Sequence, residues 1–315
     1  CLTGKEIRKI ASDLYHRRTS TLKEFSRDWI MDFRNRQKDN IEKVSASSVD
    51  ENRANISIDE VNRYLTQVDE MMKNPPNPLL LINFDEIGFG KRAQKGKRKN
   101  FYVIKNLDVK PFWREQTDKH HISVVAAVSA ACSSITPLFL STRKKLDEDL
   151  KQTLFLRSCN YFQTEKGYMT ILSTVFWVRN NLAPYVEYVR SIIGKDEKCI
   201  IIADGLKTHF HQIVMEELEK IGNISLILLP PHSSHLAQVL DLTVFNVFKT
   251  NYFSAFSNCS FSSQFTSKLM KIKIAYQKTF NDEVIQSGWE KAGFKLNINE
   301  GEIVSYEFSE GFKDF

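Results

Sequence analysis

The chain lacks any pairing pattern among its cysteines. Cys1, Cys132, Cys159, Cys199 and Cys259 are scattered over 315 residues with no C-x-x-C motif. That argues against a small disulfide-stapled secreted domain and points to a reducing, intracellular compartment. Long hydrophobic runs are equally scarce. The one uncharged stretch of membrane-spanning length, Ile122 to Thr142, contains Ser129, Ser133, Ser134, Thr136 and Pro137 and is otherwise small and β-branched. It reads as two strands and a turn, and no membrane partner is expected. No signal peptide opens the chain, and no initiator Met either, so the expectation is that the true start lies upstream of Cys1. Charge of one sign is not abundant: 44 Lys and Arg against 38 Asp and Glu leave a net +6. Such an excess admits nucleic acid as a partner without selecting it.

What is present divides into segments. The length suits one sizeable core and a smaller appendage. Residues 1–40 are polar and helix-rich, with Ile7, Ile10, Ala11, Leu14 and Tyr15 at helical spacing. A second helix follows, with Ser26 as its N-cap and Trp29, Ile30 and Phe33 along one face. Arg27, Arg34, Arg36 and Gln37 mark its other face. A helix-turn-helix that lays this second helix in a major groove fits the pattern, and so does a solvated basic helix packed on its neighbour. Residues 41–56 read as a polar linker. Helical spacing returns from Ser57 to Met72, with Ser57-x-x-Glu60 as a capping box, and Pro75-Pro76-Asn77-Pro78 stops that helix.

The central segment, 57–255, has a definite order. Strand patterns cover Leu79 to Asp85, Ile122 to Ala130 and Thr136 to Ser141, followed by a helix within Tyr168 to Arg190. A strand at Cys199 to Asp204, a helix at Lys207 to Ile221, a strand at Ser225 to Leu229 and a helix at Leu236 to Phe253 complete it. Three strands, then helices alternating with strands, is the order of an RNase H-like fold. The expected class is therefore α/β, a mixed sheet flanked by helices and preceded by a small all-α segment. Residues 256–315 are expected to form a helical extension. Pairing the first strand with the fourth would set Asp85 beside Asp204 at the carboxyl edge, where sites form in such sheets.

Asp85, Asp204 and Asp241 are the candidate acids. Two carboxylates at strand ends and a third on a helix suit a site that cuts phosphodiesters with two divalent ions, magnesium or manganese, which take oxygen ligands. Each aspartate also has an ordinary explanation as a turn, a strand end or a helix surface residue.

At these acids the sequence resembles a known family. Asn83-Phe84-Asp85-Glu86-Ile87-Gly88-Phe89, Ala203-Asp204-Gly205, and Leu229-Pro230-Pro231-His232-Ser233-Ser234-His235 running through Gln238-Val239-Leu240-Asp241 are similar to the acid blocks of the pogo-like transposases. These are the Tigger and centromere-protein-B relatives within the mariner superfamily of DDE endonucleases. Further similar blocks are Gly167-Tyr168-Met169-Thr170 through Phe176-Trp177, Ser287-Gly288-Trp289-Glu290-Lys291-Ala292-Gly293-Phe294, and Phe25 to Gln37. The resemblance implies an RNase H-like DDD domain with Asp85, Asp204 and Asp241 as metal-holding acids. Its implied partners are double-stranded DNA, as transposon ends and as target, with a homodimer joining two ends in the nucleus. It also selects Asp85 over Glu86, which in a strand would point to opposite faces. Two features depart from the family: the residues after Asp204, and the visibility of only one N-terminal helix-turn-helix unit.

Lys91, Arg92, Lys95, Lys97, Arg98 and Lys99 make a basic loop behind the first acid. A DNA phosphate contact, a nuclear-import signal and a solvated loop all fit it. His209, His211, His232 and His235 lie near the acids in sequence. The Pro-Pro and Ser-Ser flanks of His232 argue for a rigid turn rather than zinc, so Glu86, His209, His232 and His235 are candidates for orienting the acids, a water or a phosphate. The rival functions are a domesticated, catalytically silent DNA-binding protein and an RNase H-like nuclease acting on RNA hybrids.

Overall fold

The computed structural model describes residues 4–37, 57–90, 121–144, 158–206, 211–255, 264–299 and 302–309. The chain divides into two compact units, Cys1–Asp50 and Glu51–Phe315.

The first unit holds helices α1 (Gly4–Thr19) and α2 (Arg27–Arg36). Ser26 caps α2 as expected, its Oγ accepting from the Trp29 N–H at 3.2 Å. Aromatic rings line α2 and its entry, Phe25 against Trp29 with ring centroids 4.5 Å apart and Trp29 stacked on Phe33 at 5.3 Å, and Tyr15 of α1 meets Phe25 edge-on at 6.1 Å. Arg27, Arg34 and Arg36 are exposed.

The second unit is built on a sheet. Helix α3 (Ile58–Lys73) begins where the Ser57 pattern places it, though the Ser57 side chain makes no cap bond. Strands β1 (Leu81–Phe89), β2 (Ile122–Ser129), β3 (Ser134–Ser141), β4 (Asn160–Gln163), β5 (Cys199–Ala203) and β6 (Ile224–Leu228) form one sheet in the order β4-β3-β2-β1-β5-β6. β1 is antiparallel to β2 and parallel to β5. The uncharged stretch at 122–142 is thus β2, a turn and β3, and no helix among the described residues is long and apolar enough to cross a membrane.

Alternation along the strands sends side chains to two cores. Leu81, Ile87 and Phe89 of β1 join Ile200, Ile202, Leu240, Val244, Phe245 and Phe248 on one face. Ile82 and Phe84 join Ile201, Ala203, Trp177, Leu182 and Val186 on the other. Each fully buried Leu, Ile or Phe contributes about 1.5–3 kcal/mol, so the register of this sheet is strongly held.

Several elements differ from expectation. β4 is an added edge strand of four residues, paired with β3 from Leu138 opposite Asn160 to Ser141 opposite Gln163. The helix after it is α4 (Ile171–Trp177), a π-turn (Val178–Leu182) and α5 (Ala183–Ile193). After β5 come α6 (Gln212–Ile221) and, beyond β6, a broken helix: α7 (Ser234–Ala237), a π-turn (Leu240–Val244) and α8 (Phe245–Ser254).

The C-terminal extension is helical only in α9 (Gln264–Thr279) and α10 (Asp282–Lys291). β7 (Phe294–Asn299) and β8 (Glu302–Phe308) then form an antiparallel hairpin. This corrects the helical expectation for the final residues. Gly293, at φ +94°, ends α10, and Phe294 and Leu296 then alternate buried with exposed neighbours at strand period. Tyr306 ties the hairpin back through a 3.0 Å hydrogen bond to the Pro76 carbonyl.

Candidate active site

β1 continues four residues past Asp85, because β2 flanks it as far as Phe89 opposite Ile122. Its other neighbour stops earlier: β5 ends at Ala203. The register that pairs Leu81 with Ile200 and Asn83 with Ile202 carries Asp85 level with Asp204. Continued two residues past the last paired position, that register sets the two acids at one level where the parallel partner ends, rather than at the end of both strands. Asp204 Oδ1 there accepts from the Leu206 N–H at 3.4 Å.

The pleat separates Asp85 from Glu86. Asp85 shares a face with Leu81, Asn83 and Ile87, the face covered by the Leu240–Phe248 segment. Glu86 belongs to the opposite face, where its Oε2 accepts from the Met169 N–H at 2.8 Å and so anchors the Gly167–Thr170 stretch. Asp85 Oδ1 accepts from the Glu86 N–H at 2.7 Å.

Asp241 arrives from the π-turn. One extra residue in that turn rotates it relative to the α-helical stripe, so Leu240, Val244, Phe245 and Phe248 are buried while Asp241 stays half-buried at the rim. The Asn246 side chain donates to the Asp241 carbonyl at 3.1 Å, across the five residues of the π spacing. Asp241 lies in the first turn of this helix, where unpaired N–H groups favour a negative charge.

Asp241 and Asp204 both act on Asp85. Asp85 keeps some exposed surface, yet burial of its carboxylate, and then the negative charges of Asp241 and Asp204, push its pKa well above the carboxylate range. Among the described residues, no three His, Cys, Asp or Glu side chains stand grouped closely enough to hold a metal ion as they are. As a donor set, three hard carboxylates concentrating negative charge on one edge fit magnesium or manganese better than zinc.

The remaining candidates are placed less centrally. His232 and His235 are exposed in the turn before the acid helix, with His235 Nδ1 3.1 Å from the His232 carbonyl oxygen. That turn is tight: Ser233 Oγ donates to the Pro230 carbonyl at 2.7 Å and His232 sits at φ +65°. His211 caps α6. His209 and the basic residues Lys91, Arg92, Lys95, Lys97, Arg98 and Lys99 lie outside the described residues.

Sequence reasoning assigned no role to Asn83, Gln238 or Gly288, all within the motifs that carry the resemblance. Asn83 and Gln238 are completely buried. The signal for them was available: an amide two residues before the first acid, and another three before the third, each beside apolar residues. A Cβ on Gly288 of α10 would lie 2.9 Å from the Val239 carbonyl oxygen, so this glycine lets α10 close against the segment leading to Asp241.

Comparison with known proteins identifies the family and the fold. The family model described as DDE superfamily endonuclease matches residues 125–289, which include Asp204 and Asp241 and begin after Asp85. Among solved structures, the Mos1 transposase paired-end complex with left transposon end superposes with a TM-score of 0.52 at 15% identity, covering 84% of this chain and 67% of that one. The Mos1 strand transfer complex gives 0.51 at 14% identity over 93% of this chain and 76% of that one. At such identities the likeness establishes the fold, an RNase H-like mixed sheet flanked by helices. A curated relative from Cochliobolus lunatus, named MFS-type transporter clz9, is 35% identical over 226 residues, 68% of this chain but 23% of that protein. The chain thus spans under a quarter of that relative's length, and the transporter name describes that whole protein. With the family model covering more than half of its length, the chain belongs to the DDE superfamily endonucleases.

Proposed function

We propose that this chain is a pogo-like transposase, cutting double-stranded DNA at transposon ends and joining the freed 3′-hydroxyl to target DNA. One observation carries the reading. Asp85 on β1, Asp204 directly after the parallel β5 and Asp241 on the π-turn packed over the same face come to one edge of a DDE-family domain, where burial and then Asp241 and Asp204 raise the pKa of Asp85. Support also comes from the Mos1 relatives, whose structures are a paired-end complex with a transposon end, a paired-end complex with Mn and a strand transfer complex.

Two divalent ions, magnesium or manganese, would supply the charge that stabilises the attacking and leaving oxygens of an in-line displacement. The chain's own residues do the rest. Asp85 and Asp204, level on neighbouring strands, flank the shared negative centre, and Asp241 completes it from the helix start. Exposed Arg27, Arg34 and Arg36 hold duplex phosphates, as do the basic residues between Lys91 and Lys99. Two copies of the chain would pair two ends, and the work would be done in the nucleus.

The test is a cleavage assay on duplexes carrying the element's own ends, with magnesium and with manganese, run beside Asp204→Asn. Metal-dependent strand cleavage by the wild type is expected to fall to background in the variant while duplex binding persists. Equal cleavage by both proteins overturns the assignment. A wild type that binds the ends and never cuts them supports the silent, domesticated reading instead.

A further inference from the structure

We infer that Asn83 and Gln238 form a buried amide lock that sets the mutual position of the three acids, which makes both of them positioning residues for the metal-holding carboxylates. The inference rests on the reading of Asp85, Asp204 and Asp241 as those carboxylates.

The lock reaches all three acid-bearing elements. Asn83 Nδ2 donates to the Ile202 carbonyl of β5 at 3.0 Å and to Gln238 Oε1. Asn83 Oδ1 accepts from the Leu240 N–H at 3.3 Å, and Gln238 Nε2 reaches the Phe84 carbonyl of β1 at 3.4 Å. Asn83 and Ile202 each lie two residues before an acid, and Leu240 lies one residue before the third. A shift of β1, β5 or the π-turn against the others therefore breaks a hydrogen bond within two residues of a carboxylate.

Two physical features make this more than filling. Both amides have zero exposure amid Ile202, Val239 and Leu240, so a broken bond leaves a polar group with no water to replace its partner. An apolar pair would fill the same space without dictating an alignment. The helix start also needs the contact: Leu240 opens the π-turn, and its N-cap residue Val239 supplies no side-chain bond. Asn83 caps this helix from a neighbouring strand, registering the start of the acid helix against β1.

The experiment measures manganese binding to the full chain by titration calorimetry, together with metal-free thermal melts and the manganese concentration giving half-maximal cleavage. Gln238→Met keeps most of the side-chain volume and removes the amide. It is expected to melt cooperatively, to bind manganese about tenfold more weakly, as loss of a group supporting metal ligands does, and to regain cleavage as manganese is raised. Wild-type manganese affinity in the folded variant overturns the lock. Should Gln238→Met fail to fold, Gln238→Asn, whose shorter amide withdraws from Asn83, is read the same way. Failure of both to fold also overturns the inference, since the amides would then be structural only. Asp204→Asn in the same titration separates the two levels. If it binds manganese as the wild type does, the metal-site reading falls and the lock with it. If it binds more weakly while Gln238→Met matches the wild type, the lock alone falls.

Discussion

Asp85 and Glu86 are adjacent acids given different work by the strand pleat. Asp85 shares its face with the acid helix, whereas Glu86 holds the Met169 N–H on the other side of the sheet. Asp85→Asn is therefore expected to abolish metal-dependent cleavage. Glu86→Gln, which keeps an acceptor for Met169, is expected to retain most of it; matched cleavage assays check the contrast. Gly288 is a second residue whose effect is set by its surroundings. Alanine there would gain about 1 kcal/mol of helix propensity, but its Cβ would meet the Val239 carbonyl at 2.9 Å and Val239 Cγ1 at 3.1 Å. Overpacking against backbone costs about 1–3 kcal/mol, so the clash wins. Gly288→Ala should lower the melting temperature by a few degrees in calorimetry, and unchanged melting would show that α10 can retreat freely.

At the scale of elements, α6 is fastened to the π-turn at Val178–Leu182 by charge. Glu217 accepts from Arg179 Nε at 2.7 Å and Arg179 Nη2 at 2.5 Å, and from Lys220 at 2.6 Å. The hydrogen bonds from Arg179 and then from Lys220 pull its pKa down to about 2. A depressed carboxylate stabilises the fold above its unfolded pKa of about 4.3 and loses that contribution as pH falls toward about 2. Thermal melts over this window should converge for wild type and Glu217→Gln as the acid protonates, and a constant gap would refute the linkage. The elements themselves were legible in unequal degree. β1, β2, β3 and β5 stood out as apolar runs, and Ser26 announced the start of α2. β4 did not, because four residues of an edge strand carry too little alternation to separate from a loop. Neither π-turn was visible, since an inserted residue disturbs helical period only slightly. The final hairpin did carry a local signal, since Phe294-Lys295-Leu296-Asn297-Ile298-Asn299 alternates apolar with polar residues at strand period, and the expectation of a helical extension overlooked it.

The molecule as a whole comprises two compact units, and the proposed function divides between them. Replacing Arg27, Arg34 and Arg36 together with alanine should weaken duplex binding across sequences. It should also reduce the slope of log affinity against log salt by up to about three, one for each phosphate left without its arginine. Manganese binding by the acids should be unaffected. Fluorescence anisotropy at several salt concentrations reads the slope, and an unchanged slope would remove these arginines from the DNA surface.

The sequence by itself determined where the main strands and helices run and which acids were available, because periods of two and of about 3.6 are local properties of a chain. It also carried the motifs that resemble a family. Only the tertiary structure decided that Asp85 is turned to the acid helix and Glu86 away from it, that Asp85 is level with Asp204, and that Asp241 sits on a π-turn rim. Those choices depend on partners such as Ile202 and Gln238, 119 and 155 residues from Asn83 along the chain. Register and facing are settled by burial against such distant neighbours, and no local window contains them.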